Sequence, residues 1–293
     1  LAFVLIGDID EEMKGISPII KHLNFIQTLS NIVIVAIENI RLYEESLRQE
    51  AIRKELELAS KMQAMLIPDP QKLPHNNKIH VKAFYFPHFE VGGDYYDFIK
   101  LKDDKIGFCI ADVSGKGISA AILMSNFQAH LRALFTSAIS LENLITQLND
   151  RIFENAKGDK FITLFLGRID NKTKTLEYIN AGHNPPFVYD IEEDQLTHLT
   201  LGCIGIGMLD IIPSIEKGNY AIRKKTKVLC YTDGLVELIH DKDISYGMET
   251  IEEQIINPKN IDDNIESIIK DQNITKDNKN IFDDISLIGF EFF

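Results

Sequence analysis

The chain has 293 residues, 45% hydrophobic and 26% charged, enough for one large domain or two smaller ones around a sizeable core. Its formal net charge of -13 works against nucleic acid or an anionic membrane as a general partner. A phosphorylated substrate would meet the same repulsion unless bound cations reverse the field locally.

Three cysteines, Cys109, Cys203 and Cys230, are too widely spaced for a disulfide framework or a zinc knuckle, and suit a reducing cytosol. Cys109 and Cys230 lie in apolar runs and read as small buried hydrophobes. No uninterrupted apolar run approaches the ~20 residues of a membrane span, and the best one, 32–37, meets Glu38 at once. The chain opens on Leu1, and residues 1–7 read as a strand without a beginning, so an upstream part is expected.

A polar loop over 8–17 leads to Pro18, well placed to start a helix, and no proline or glycine interrupts until Pro68. Ile26, Leu29, Val33, Ala36, Ile40, Tyr43 and Leu47 recur at alternating steps of three and four, a heptad seam. Past Leu47 the phase slips: Ile52, Leu56, Ala59 and Met62 form a stripe offset by one residue. A helix of ~49 residues would be ~73 Å long, more than a small domain is wide. This favours a dimeric coiled coil over a long helix packed on its own domain. Pro68, Pro70 and Pro74 end the helix and mark a linker.

Beyond it, strands are predicted at 79–86, 95–101, 105–111, 161–169, 175–180, 187–189, 227–232 and 285–292. Helices are predicted at 118–135, 141–155, 249–256 and 262–270, with a polar loop over 270–280. Runs of strands with grouped helices give an α+β class, sheets covered by helices.

Four acidic positions stand at predicted strand ends. Asp94 follows Gly92-Gly93; Asp112 ends an apolar strand and opens Val113-Ser114-Gly115-Lys116-Gly117; Asp233 precedes Gly234; Asp283 and Asp284 lead into the last strand. Any one of these alone is most simply a turn or a solvated carboxylate. If the strands share an edge, the carboxylates converge, and divalent cations relieve their repulsion. Carboxylate and carbonyl ligands without nearby His or Cys select magnesium or manganese rather than zinc. Two such ions ~3.5–4 Å apart activate a shared water for in-line attack on phosphorus, with no protein nucleophile.

The runs Val91-Gly92-Gly93-Asp94-Tyr95-Tyr96-Asp97, Ala111-Asp112-Val113-Ser114-Gly115-Lys116-Gly117, Asn180-Ala181-Gly182-His183-Asn184-Pro185-Pro186, Tyr231-Thr232-Asp233-Gly234 and Asp283-Asp284-Ile285-Ser286-Leu287 closely resemble the SpoIIE/RsbU branch of the metal-dependent (PPM) protein phosphatases. They occur in that family's order and cover residues ~56–293. The resemblance implies an antiparallel β-sandwich flanked by helices, a Mn2+ or Mg2+ pair with a third ion left open, and a phosphoserine substrate on a STAS-domain anti-sigma-factor antagonist. By resemblance, Asp112 bridges both ions, the Val113 carbonyl adds a ligand, Asp233 and Asp283 are further ligands, and Asp94 holds a metal-bound water. Asp284 stands outside the ligand shell.

Two positions depart from the wider family: Ser114 stands where many relatives carry a candidate general-acid histidine, and Phe89 lies near the place of the phosphate-binding arginine. Lys116, His183 and Asn184 are candidate substrate contacts, against the simpler readings of a solvated loop lysine and a polar-anchored turn. His75, His80, His88, His198 and His240 show no metal-ligand spacing and receive no role.

Near the amino end, Val35-Ala36-Ile37-Glu38-Asn39-Ile40-Arg41-Leu42-Tyr43-Glu44-Glu45 resembles the exit helix of a GAF sensory domain, with residues 1–7 like one of its last strands. The expected organisation is the end of a sensory domain and the start of a signalling helix over 1–46, a coiled-coil linker over 47–74, and a phosphatase domain over 75–293. The expected protein is a cytoplasmic homodimer whose phosphatase answers to the sensory domain. The alternatives are a metal-binding regulatory module with weak catalysis and a two-metal phosphoesterase acting on small molecules.

Overall fold

The computed structural model describes residues 23–88, 91–238, 248–275 and 277–293. The expectations for the opening strand, the polar loop, Pro18, Phe89 and His240 lie outside these residues. The chain divides into two compact units, Leu1–Leu58 and Ala59–Phe293.

Helix α1 spans Leu23–Ala64. Besides lacking glycine and proline, it carries ion pairs at helical spacing, Glu38 with Arg41 (2.6 Å), Glu50 with Arg53 (3.0 Å) and Lys54 (3.6 Å), and Arg53 with Glu57 (3.6 Å). The seam residues Leu29, Val33, Ile40, Tyr43 and Leu47 are exposed. An 18-residue window of α1 reaches a mean hydropathy of 1.3, so by length and composition alone the helix could cross a membrane. An uninterrupted apolar run is the stricter criterion, and α1 meets only the looser one.

In the second unit the strands are β1 (Ile79–Phe86), β2 (Tyr95–Lys100), β3 (Lys105–Val113), β4 (Ile162–Asp170), β5 (Thr175–Ala181), β6 (Phe187–Asp190), β7 (Gln195–His198), β8 (Gly202–Cys203), β9 (Gly218–Ala221), β10 (Thr226–Tyr231) and β11 (Ile285–Phe292). The helices are α2 (Ile118–Leu134), α3 (Leu141–Ala156), the single turn α4 (Asp233–Val236), α5 (Met248–Ile256) and α6 (Ile261–Asp271). One sheet runs β1-β11-β10-β6-β7, and the other β2-β3-β4-β5-β8 with β9 also on β5. All pairings are antiparallel except β5 with β8.

The strand alternation explains the layering. On β3, Phe108 and Ile110 point between the sheets, where they meet Val81, Phe165, Val228 and Phe290. The intervening Cys109, Ala111 and Val113 point the other way, against Phe127, Leu131, Leu144 and Leu148 of α2 and α3. On the other sheet, Leu229, Tyr231 and Leu287 pack under Ile251, Ile261 and Ile265 of α5 and α6. Both faces of the central strands β3, β4, β10 and β11 are buried, which is why these strands read as continuous apolar runs.

Local signals set the helix ends. The Ser140 hydroxyl accepts from Asn143 N (3.2 Å) to start α3, and Asn260 accepts from Asp263 N (2.8 Å) to start α6. Lys157, with φ 48°, closes α3 in the left-handed region. The buried Lys227 of β10 donates to the carbonyls of Asn257 and Lys259 and to Asn264 Oδ1, tying the α5–α6 turn to the sheet. Asp112 differs from its expected place at the mouth of a loop: it lies within β3, paired with Thr163 of β4.

Candidate metal centre

Five carboxylates from four segments gather at one end of the sandwich. Asp94 precedes β2 and Asp112 lies on β3, both from one sheet; Asp233 follows β10, and Asp283 and Asp284 precede β11, from the other.

Asp94 is fully buried, and its Oδ2 accepts from Thr232 Oγ1 (2.8 Å) and Ser286 Oγ (2.6 Å). Burial, and then the charges of Asp112 and Asp284, push its carboxyl well above the usual range against those two hydrogen bonds. Thr232 Oγ1 also accepts from Ser286 N (2.9 Å), so one hydroxyl locks the ends of β10 and β11 together beneath Asp94.

Asp112 is half-buried, and burial followed by the charges of Asp233, Asp283 and Asp284 raises it to about 7. Burial, and then Glu237 and Asp283, also raise Asp233. Such mutual elevation is the electrostatic signature of carboxylates that would accept a cation.

Asp284 spends both oxygens on backbone. Oδ1 accepts from His88 N (2.8 Å) and Oδ2 from Gly93 N (2.7 Å). It thereby holds the strand-entry loop rather than facing the others with free lone pairs. Two glycines permit this closeness: a Cβ on Gly92 would fall 2.3 Å from Asp284 Oδ2, and one on Gly234 would fall 2.1 Å from the Asp284 carbonyl. A Cβ on Gly93 would fall 3.0 Å from the Val113 carbonyl oxygen and 3.3 Å from Asp112 Oδ1, so Val113 O lies beside the cluster.

Lys116, half-exposed, is ion-paired to Asp283 Oδ2 (2.7 Å) and donates to the Phe282 carbonyl. Lys160 flanks the same loop, donating to Ser114 O (2.8 Å), while Ser114 Oγ accepts from Phe161 N (2.9 Å). Ser114 is therefore engaged in shaping the loop.

His183 is buried. Its N–H donates to Asn180 Oδ1 (2.8 Å), and its Nδ1 lies 3.0 Å from the Thr163 hydroxyl, beside the partner strand of Asp112. Burial depresses its pKa to about 4, so the ring is neutral at physiological pH. Among the described residues, Asn184 Nδ2 is buried without a partner, while the Tyr231 backbone bears on the His183 ring and opposes part of the effect of burial.

The donor set suits a hard divalent ion: aspartate oxygens and one backbone carbonyl. Among the described residues no three His, Cys, Asp or Glu side chains close into one ion-sized cage. Coordination there would include water, as is usual for magnesium. Of two hollows, one of about 240 Å³ lies beside Lys78, Ile222 and Phe292, and one of about 870 Å³ is lined by Leu66, Arg132 and Tyr85, whose hydroxyl neighbours Gly92 and Asp284.

The sequence reading passed over Thr232, Ser286, Thr163 and Gln63. The available signal was a hydroxyl at the end of an otherwise apolar strand, and one uncharged polar side chain in the last turn of a helix.

Residues 102–293 match the family described as Stage II sporulation protein E (SpoIIE). Among curated proteins, the chain is 28% identical over 189 residues to the phosphoserine phosphatase RsbU of Bacillus subtilis (strain 168), covering 64% of this chain and 55% of that protein. It spans about half the length of the curated relatives it matches. Among solved structures it resembles the SiaA-PP2C domain of Pseudomonas aeruginosa, with TM-score 0.71 and 16% identity over 84% of this chain and 98% of that one. It also resembles RsbX in complex with magnesium, with TM-score 0.56 and 15% identity over 75% and 98%. The fold is thus of the PP2C type, and with half its own length or more inside the family match, this chain belongs to the SpoIIE family.

Proposed function

We propose that this chain is a metal-dependent phosphatase that removes phosphate from serine or threonine on a protein. The observation that carries this reading is the meeting of Asp94, Asp112, Asp233 and Asp283 from four segments, with Asp112 raised to about 7 by its neighbours. A relative named phosphoserine phosphatase supports it, as does a fold neighbour solved with magnesium.

In this reading Asp112 would serve as the ligand common to two Mn2+ or Mg2+ ions, and Asp233, Asp283 and the Val113 carbonyl would hold them further. Asp94, fixed by Thr232 and Ser286, orients a water. The ions supply an activated water and neutralise the phosphoryl oxygens. Lys116 lies at the exposed rim, where it can meet a phosphate, and Asp284 keeps the Gly92-Gly93 loop closed against the site. His183, neutral and buried, braces Thr163 beside Asp112, while Asn184 stands next to it.

The substrate we favour is a phosphoserine on a STAS-domain protein, in the cytosol. The uncovered seam of α1 pairs two copies into a dimer, through which an upstream sensory domain sets activity.

The test is hydrolysis of p-nitrophenyl phosphate and of a phosphoserine protein, with and without manganese. Metal-dependent turnover of both, abolished by chelation and restored by added metal, is expected. Metal binding without turnover would instead favour a regulatory module.

A further inference from the structure

His75 and His80 face each other across a tight turn ahead of β1. They form an isolated antiparallel bridge, so both side chains leave the same face. Their Nδ1 atoms lie 2.6 Å apart, closer than the ~2.9 Å of an ordinary N–H hydrogen bond, with ring planes at 87°.

On the far side of the His80 ring, Nε2 is 2.9 and 3.0 Å from the two oxygens of Asp262 in the first turn of α6. A carboxylate only accepts, so Nε2 carries the proton and the Nδ1 lone pair points at His75. A carboxylate behind one imidazole nitrogen orients metal-ligating histidines and raises their basicity. Glu291, paired with His80 across β1 and β11, adds a second carboxylate, with its Oε2 accepting from Ile261 N (3.1 Å). The nearby lysines are already engaged, Lys78 by Asp104 (2.9 Å) and Lys82 by Glu266 (3.6 Å).

We propose that His75 Nδ1 and His80 Nδ1 form a binding site for a borderline divalent ion of the zinc class, separate from the acidic cluster. Two Zn–N bonds of ~2.1 Å at the tetrahedral angle place the nitrogens ~3.4 Å apart. The rings need to part by less than ~1 Å, which side-chain rotation supplies because His75 is exposed. With two protein ligands and water in the remaining positions, the site is exchangeable rather than a closed structural cage. The molecule thereby sorts cations by softness: imidazole nitrogen here, carboxylate oxygen at the other site. An ion held here fastens the turn before β1 to α6.

The experiment is calorimetric titration of the full chain with Zn2+ in excess Mg2+, which occupies the acidic cluster. One zinc-binding event is expected, with the His75 proton moving from Nδ1 to Nε2 as the metal takes the nitrogen between the rings. His75→Ala and His80→Ala should each weaken it by roughly ten-fold or more, and Asp262→Asn by about ten-fold, with circular dichroism unchanged. Asp112→Asn should leave it intact. Absence of zinc binding by the unaltered chain, unchanged affinity in His75→Ala, or loss of the event in Asp112→Asn overturns the assignment.

Discussion

Gln63 and Gly92 are joined through both of their amides: Gln63 Nε2 donates to Gly92 O at 2.7 Å, and Gly92 N donates to Gln63 Oε1 at 3.0 Å. Gln63 is the buried residue of the last turn of α1, and Gly92 packs directly on Asp284 beside Asp94. The end of the long helix is therefore fastened to the loop that shapes the acidic cluster. Replacing Gln63 by Ala leaves a backbone N–H and C=O buried without partners, at a cost of about 1–3 kcal/mol. Urea denaturation should show that loss, and manganese titration a several-fold weaker affinity. Unchanged values of both would mean the contact is incidental.

Asp112→Asn should lower turnover by roughly 10²–10³-fold, the scale of losing one preorganised charged group. It should also raise the melting temperature of the chelated protein, because one charge is removed from a self-repelling cluster. A folded, metal-saturated variant with near-normal turnover would exclude Asp112 from the chemistry.

His183 gives a pH signature. Its pKa is depressed by burial to about 4 from an ordinary 6.5, so the folded state favours the neutral ring. That contribution to stability is fully present above pH ~6.5 and is lost as pH falls towards 4, by up to about 3 kcal/mol. His183→Gln should flatten the stability profile across that window. If denaturation profiles of the two proteins run parallel between pH 4 and 7, the ring is not held neutral.

No thiol should take part in turnover. Burial pushes the Cys109 and Cys230 thiols far up and Cys203 to about 11, so none is a thiolate at neutral pH. Single Cys→Ala changes should preserve the metal-dependent rate, with destabilisation of about 1–2 kcal/mol at the buried pair. A folded but inactive cysteine variant would contradict this.

The phase slip in α1 carries the last prediction. A straight pair of helices that satisfies the seam from Ile26 to Leu47 leaves the stripe from Ile52 to Met62 rotated away. The Arg48–Ala51 stretch thus admits two packings. Removing one residue there should shift activity strongly in one direction, whereas removing a heptad, 33–39, should be milder. A monomer by light scattering at micromolar concentration, or no effect of either deletion, would leave α1 as a tether.

Helices and long strands were legible because each has a period and an end signal, such as Ser140 for α3 and Asn260 for α6. The short β7, β8 and β9 were not: they lack the aromatic and β-branched run Phe187-Val188-Tyr189 that marks the equally short β6, and exist through their neighbours. Asp94, Asp112 and Asp233 could be singled out by glycines beside strand ends, and Asp283 by the adjacent acid before the last strand. Their supports could not: Thr232 and Ser286 lie 54 positions apart in the chain, and their hydroxyls meet under Asp94 only after β10 and β11 pair. The same holds for His75 and His80, whose spacing fits no ligand pattern until a turn folds one onto the other.

The acidic cluster straddles the two sheets, Asp94 and Asp112 on one and Asp233 and Asp283 on the other. Without counter-ions these carboxylates repel one another across the two layers; cations held as proposed would draw the layers together. The ion concentration should then set mechanical cohesion as well as rate, adding about 2.7 kcal/mol of stability at a hundred times the dissociation constant. In a cell starved of divalent metal, the protein would loosen at the end where it works, and proteolysis near Gly234 would report the shortage before any substrate did.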